Sequence, residues 1–175
     1  MDFLLFNLII LFVIFFLLIL LSMVWPPDSP WSPWWRTTDK VAKDIASLAK
    51  LRSSDIIYDL GCGDARHLIT FAKQYKIKCV GIEIDPLRYF IARQRVKRNK
   101  LDKRITIIKA NFNTINISNA TVVYVYLIPK VLRKIQPKLK RELKKGSKVI
   151  SYRYKIAGLK LESYDKSNKL YFYKI

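Results

Sequence analysis

The sequence predicts an α/β domain built on a mostly parallel sheet, standing behind one long apolar helix. Three features carry that prediction. A β-prone run, residues 56–60, holds Asp59 and opens into Gly61-Cys62-Gly63, with a helix-like segment after it. A second β-prone run, residues 79–84, brings Glu83 and Asp85 about 20 residues after the first acid. Apolar runs and amphipathic segments then alternate until two short β-like stretches close the chain.

The chain opens on residues 3–23, almost wholly apolar and interrupted only by Asn7 and Ser22. About 20 such residues span a bilayer as a helix. A cleaved signal peptide wants a basic start and small residues at its cut. Here no Lys or Arg precedes Arg36 and Trp25-Pro26-Pro27 follows the run, so residues 1–24 read as an uncleaved anchor. Residues 25–36 hold four Trp and four Pro and read as an interfacial belt and stiff linker. A second reading folds Trp34, Trp35 and Thr37 over a ligand at the carboxyl ends of the strands, where such sheets bind. The domain proper is expected over residues 37–175.

Thr38 is placed to cap a helix over residues 39–51, with Val41, Ile45, Leu48 and Ala49 inward. The first strand follows, and its glycine turn lets backbone approach a ligand without Cβ atoms in the way. The helix over residues 66–75 carries Leu68, Ile69, Phe71 and Ala72 on one face. Pro86 opens the next helix, residues 86–100, expected to bury Leu87, Phe90, Ile91 and Val96 and to show Arg88, Arg93, Arg95, Lys97 and Arg98 to water. Residues 104–109 are a third strand. Residues 121–128 are a continuous apolar run, as a strand covered on both faces should be. A helix over residues 131–145 should be split or kinked by Pro137 and ended by Gly146. Residues 149–154 are a fifth strand, and residues 159–164 and 170–175 form a hairpin.

The spacing D-x-G-x-G in Asp59-Leu60-Gly61-Cys62-Gly63 is not the dinucleotide fingerprint. It resembles the first motif of class I S-adenosylmethionine (SAM)-dependent methyltransferases, and Gly81-Ile82-Glu83-Ile84-Asp85-Pro86 resembles the second. The resemblance implies a Rossmann-like seven-stranded sheet with its last strand antiparallel and helices on both faces. It implies SAM as cofactor, with Asp59, Gly61, Cys62, Gly63 and Asp64 at the turn, Glu83 on the ribose hydroxyls and Ile84 beside it. Asn111 and Phe112, after the third strand, stand where many related enzymes read adenine, although an acid is usual there. Asp64 either reaches the cofactor's amino group or favours the following helix N-terminus. Ala65 replaces the usual third glycine.

Residues 125–129, 137–146 and 149–154 narrow the resemblance. They look like the lysine methyltransferases of the ATP synthase c subunit and the adenine nucleotide translocase, and like small archaeal protein-lysine methyltransferases. Such chemistry asks a protein to align an amine with a methyl group, remove water and accept the amine uncharged. Tyr126 is the candidate for lining the acceptor channel, with core packing as the alternative; Tyr124, Ser151, Tyr152 and Arg153 lie close in the pattern. His67, the only histidine, reads as a helix-surface or cofactor-adjacent filler rather than a base. No spacing suggests a metal site.

The charge sets the partners. All 33 Lys and Arg and 11 of the 13 acids lie beyond Trp35, a formal excess of +22. Basic residues stay on the cytoplasmic side. The expectation is therefore a single-pass membrane protein with its N-terminus outside and its catalytic domain in the cytoplasm, resting on an anionic membrane surface. Cys62 and Cys79 fit a reducing compartment. Tyr126-Leu127-Ile128-Pro129 lacks the polar first residue of the N-P-P-Y-like tetrapeptide of nucleic-acid amino methyltransferases, which argues against a base substrate. The expected partner is a protein lysine, including one on a membrane protein. The alternatives are a lipid or small molecule at the bilayer, or a non-catalytic binding or assembly module.

Overall fold

A computed structural model describes residues 3–24 and 39–175. The Trp/Pro segment, Thr37 and Thr38 lie outside the described residues, and with them the cover and cap expected there. Helix α1 (Phe3–Val24) is continuous, and it is long and apolar enough to cross a membrane. Asn7 disposes of its amide within the helix, donating from Nδ2 to the Phe3 carbonyl at 2.7 Å.

The domain contains helices α2 (Asp39–Ala49), α3 (Arg66–Tyr75), α4 (Pro86–Arg98) and α5 (Pro129–Glu142). Its strands are β1 (Ile56–Leu60), β2 (Lys78–Glu83), β3 (Ile105–Lys109), β4 (Val122–Val125), β5 (Lys148–Tyr152), β6 (Leu161–Asp165) and β7 (Leu170–Lys174). They form one seven-stranded sheet in the order β3-β2-β1-β4-β5-β7-β6. The strands β1 to β5 pair in parallel, and β7 runs antiparallel to both β5 and β6, as the resemblance implies.

Period-two alternation sorts the sheet into two cores. Ile57, Cys79, Val122, Tyr124 and Ile150 pack with α2, α3 and the inner face of α4. Tyr58, Leu60, Ile82, Val123, Val125 and Val149 pack with α5 on the other face. β4 is buried at every position because it is covered on both sides.

Five local expectations are corrected. α2 ends at Ala49 rather than residue 51, because Lys50 turns left-handed at φ 46°. In α4, Leu87 and Phe90 are exposed and the buried residues are Arg88, Ala92 and Val96. The buried face is set by an acid pair at the helix start, which draws Arg88 inward and turns Leu87 and Phe90 out. α5 runs as one helix through Pro137; both Pro137 and Arg133, whose carbonyl loses its partner, lie on the exposed face, where water can replace the bond. It stops at Glu142, where Leu143 turns extended, and Gly146 at φ 90° serves the following turn instead of the helix end. The fourth strand is shorter than its apolar run, so Tyr126, Leu127 and Ile128 lie past the strand end.

Candidate active site

The strand order reverses direction at β1 and β4, and ligands of open α/β sheets bind outside the carboxyl ends of strands at such a point. The glycine turn leaves β1 there. Gly61 and Gly63 take φ of 90° and 56°, which a side chain resists. The turn is clasped to the neighbouring strand: the Gly61 and Cys62 N–H groups donate to the Ile82 carbonyl at 2.8 and 3.1 Å. Ala65, in the third glycine's place, is also left-handed at φ 59° and fully buried. Burying its methyl returns about 0.8 kcal/mol against a strain of roughly 1–2 kcal/mol, so the departure costs little.

Glu83 ends β2 beside the turn. Its Oε2 accepts the Gly63 N–H at 2.8 Å, and its Oε1 accepts the N–H groups of Ile84 and Asp85 at 3.0 Å each. Three backbone donors thus aim one carboxylate, and Oε2 keeps acceptor capacity. Burial raises the Glu83 pKa, while the Asp85 and Gly63 N–H groups and the Arg88 guanidinium pull it back. Asp85 caps α4, its Oδ1 accepting the Arg88 N–H at 2.8 Å.

Asp59 sits under the turn, 3% exposed. Burial pushes its pKa well up, and the negative charges of Glu83 and Asp64 push the same way. Among the described residues no cationic side chain pairs with it. The Cys62 thiol is likewise raised, by burial first and then by Asp59, so it is an inert filler rather than a nucleophile. Asp64 pairs with Arg95 of α4, and its Oδ1 accepts the Arg66 N–H at 3.3 Å. The helix-terminus role weighed for Asp64 is therefore seen.

The exit of β4 forms the opposite wall. Leu127 Cδ2 lies 3.5 Å from where a Cβ on Gly61 would stand. Tyr124 is fully buried, with its ring edge-on to His67 at 5.3 Å. His67 is itself buried against Phe71, which answers the surface-filler reading with a core position. Tyr126 and Tyr152 meet edge-on, ring centroids 4.7 Å apart, so two sequence candidates, one just past β4 and one ending β5, come together. Asn111 lies in a tight exposed turn with its Oδ1 accepting the Asn113 N–H, and Phe112 is half-buried against the α5-side core.

Three contributors escaped the sequence reading. A Cβ on Gly81 would fall 2.7 Å from Cys62 Sγ and from Leu68 Cδ1, so that glycine lets the turn and α3 pack close against β2. Arg88 is buried beside the Glu83 and Asp85 carboxylates, and Arg95 holds Asp64. The signal was there: Arg88 and Arg95 are seven residues apart, two turns along one face of the helix that Asp85 caps.

These residues fit S-adenosylmethionine. A side-chain-poor turn, a pre-aimed carboxylate for hydroxyl groups, a buried acid lacking a cation and tyrosine faces suit a cationic nucleoside. The ANTKMT methyltransferase domain matches residues 59–163. A protein-lysine N-methyltransferase of Saccharolobus islandicus (strain REY15A) is 38% identical over 160 residues, covering 87% of this chain and 98% of that protein. The Homo sapiens lysine N-methyltransferase of the ATP synthase c subunit is 25% identical over 117 residues, 67% of this chain and 49% of that protein, so the chain spans about half its length. Among solved structures, an RNA methyltransferase from Salinibacter ruber in complex with S-adenosyl-L-homocysteine superposes with a TM-score of 0.77. It is 31% identical, covering 81% of this chain and 94% of that one.

Proposed function

The chain belongs to the ANTKMT methyltransferase domain family and is a SAM-dependent methyltransferase, and on that premise we propose that its acceptor is the side-chain amine of a protein lysine. The observation that carries this is the 38% identity to a protein-lysine N-methyltransferase across 98% of that enzyme's length. SAM supplies a methyl group activated on a sulfonium; the protein's part is to bind, orient and dry the site. Glu83, aimed by three N–H groups, holds the ribose. The glycine turn admits the methionine portion, with Asp59 as the acid near its amino group and Cys62 and Ile84 packing alongside. Asn111 and Phe112 flank the adenine end. Tyr126 and Tyr152 wall the acceptor side, where an apolar aromatic slot favours a neutral amine over an ammonium.

RNA is the second reading, favoured by the 31% identity to the Salinibacter ruber RNA methyltransferase and by the +22 excess beyond Trp35. Labelled SAM, supplied with the purified protein to membranes, soluble cell protein and total RNA, separates the readings. Label in protein bands that hydrolyse to methyl-lysine is the expected result. Label in RNA, or in the organic extract, replaces lysine with a base or a lipid; SAM binding with no transfer anywhere leaves a binding module.

We further propose that α1 anchors the enzyme, with the N-terminus outside and the domain in the cytoplasm against anionic lipid, and that a membrane protein is a natural substrate. Support comes from its apolar length and from the confinement of every basic residue to the chain beyond it. Protease added to intact cells should spare the domain and should degrade it once the membrane is opened. Degradation in intact cells reverses the topology, and a fully soluble protein after fractionation removes the anchor.

A further inference from the structure

Arg153 stands just past β5 with its backbone at φ 66°, a conformation strained for a side-chain-bearing residue. The neighbouring chain holds it there: its N–H donates to the Lys169 carbonyl at 2.8 Å, and Ser151 Oγ donates to the Tyr154 carbonyl at 2.6 Å. The guanidinium carbon is 5.5 Å from the centre of the Tyr152 ring and 5.8 Å from that of Tyr126. Among the described residues no carboxylate pairs with it. A positive charge with no carboxylate partner therefore lies over Tyr152 and Tyr126, exposed to solvent on its outer side, beside the rings that wall the acceptor side.

The titratable groups facing it are Tyr152 at the end of β5, Tyr126 from the β4 exit and Tyr154 from the turn after β5. Burial pushes the Tyr126 phenol up, and the guanidinium pulls it back. α2 and β7 pack beside β5, and Lys40 of α2 acts on Asp165 at the end of β6. Tyr124 lies buried behind the pair, its phenol pushed up by burial and then by the negative charge of Asp59.

We propose that Arg153 selects the uncharged form of the acceptor. Cation–π attraction to the two tyrosine faces works against the desolvation that favours a neutral amine and retains an ammonium group, the unreactive state of a lysine. With the guanidinium already on both, an incoming ammonium meets like charge and gives its proton to solvent before its nitrogen enters the slot. Arg153 is a positioning residue: it acts on the protonation state of the substrate rather than on the methyl group. The inference rests on the lysine reading above and deepens it.

The test uses the full-length protein, saturating SAM and a pool of N-acetylated peptides each carrying one lysine, with kcat followed from pH 6.5 to 10. The wild-type midpoint should lie below the ordinary lysine value of about 10.4. Arg153→Gln should raise that midpoint by about one pH unit, as for one partly screened charge, and lower kcat near neutrality by about tenfold without raising KM. Arg153→Lys should keep the wild-type midpoint, since it keeps the charge in the same strained backbone. If Arg153→Gln loses rate with an unmoved midpoint, the residue is merely structural and the inference falls while the lysine reading stands. If wild-type protein labels lysine neither in the peptides nor in cell protein, the lysine reading falls and takes the inference with it.

Discussion

Glu83→Ala is expected to weaken SAM binding by at least 10²–10³-fold, the loss of hydrogen bonds to a charged acceptor at about 1.5–3 kcal/mol each. The same change removes the partner of the Gly63, Ile84 and Asp85 N–H groups, so the glycine turn loosens as well. A stability loss of about 2–3 kcal/mol follows, or roughly 4–10 °C in Tm for a chain of this size. Titration calorimetry with SAM and a thermal melt read the two effects separately. Normal SAM affinity in the variant would take the ribose contact away from this carboxylate.

Asp59→Asn should separate stability from binding in opposite directions. The folded-state pKa of Asp59 is raised well above its ordinary value, by burial first and then by Glu83 and Asp64. The folded protein therefore holds a proton that the unfolded chain gives up near pH 4. Its stability falls as pH rises from there through the folded-state pKa. Asn removes that dependence. Without cofactor, the variant should melt a few degrees higher than wild type at neutral pH, and the difference should vanish at about pH 4 and below. SAM brings the cation that this acid lacks, so the variant should bind it about 10²-fold more weakly. Wild-type binding should tighten with rising pH and release a proton, visible as a binding enthalpy that depends on the buffer's ionisation enthalpy. A variant that melts lower at every pH would show that Asp59 is already compensated.

Both predictions turn on charges whose setting a linear pattern conveys only in part. Asp59, Gly61, Gly63 and Glu83 were legible because each belongs to a signal a few residues long: a β-prone run, a turn demanding positive φ, an acid at a strand end. The antiparallel last strand was legible as a hairpin, with five polar residues between two apolar stretches. The inward face of α4 was misread because helical spacing counts apolar residues, and Leu87 and Phe90 outvoted an arginine. Arg88 turns inward because Glu83 and Asp85 stand there, and no hydrophobic period records that.

The chain's order alone determined the α/β class, the place and spacing of the cofactor turn and the acid that follows it, since neighbours within a turn or a strand impose those conformations. Folding in three dimensions decided which charges lose water and which find a partner. Asp64 meets Arg95 across 31 residues, Glu83 meets Gly63 across 20, and Tyr126 meets Tyr152 only because β4 and β5 lie side by side. Electrostatic strength depends on separation and on the water excluded between groups, and both are properties of packing rather than of sequence distance.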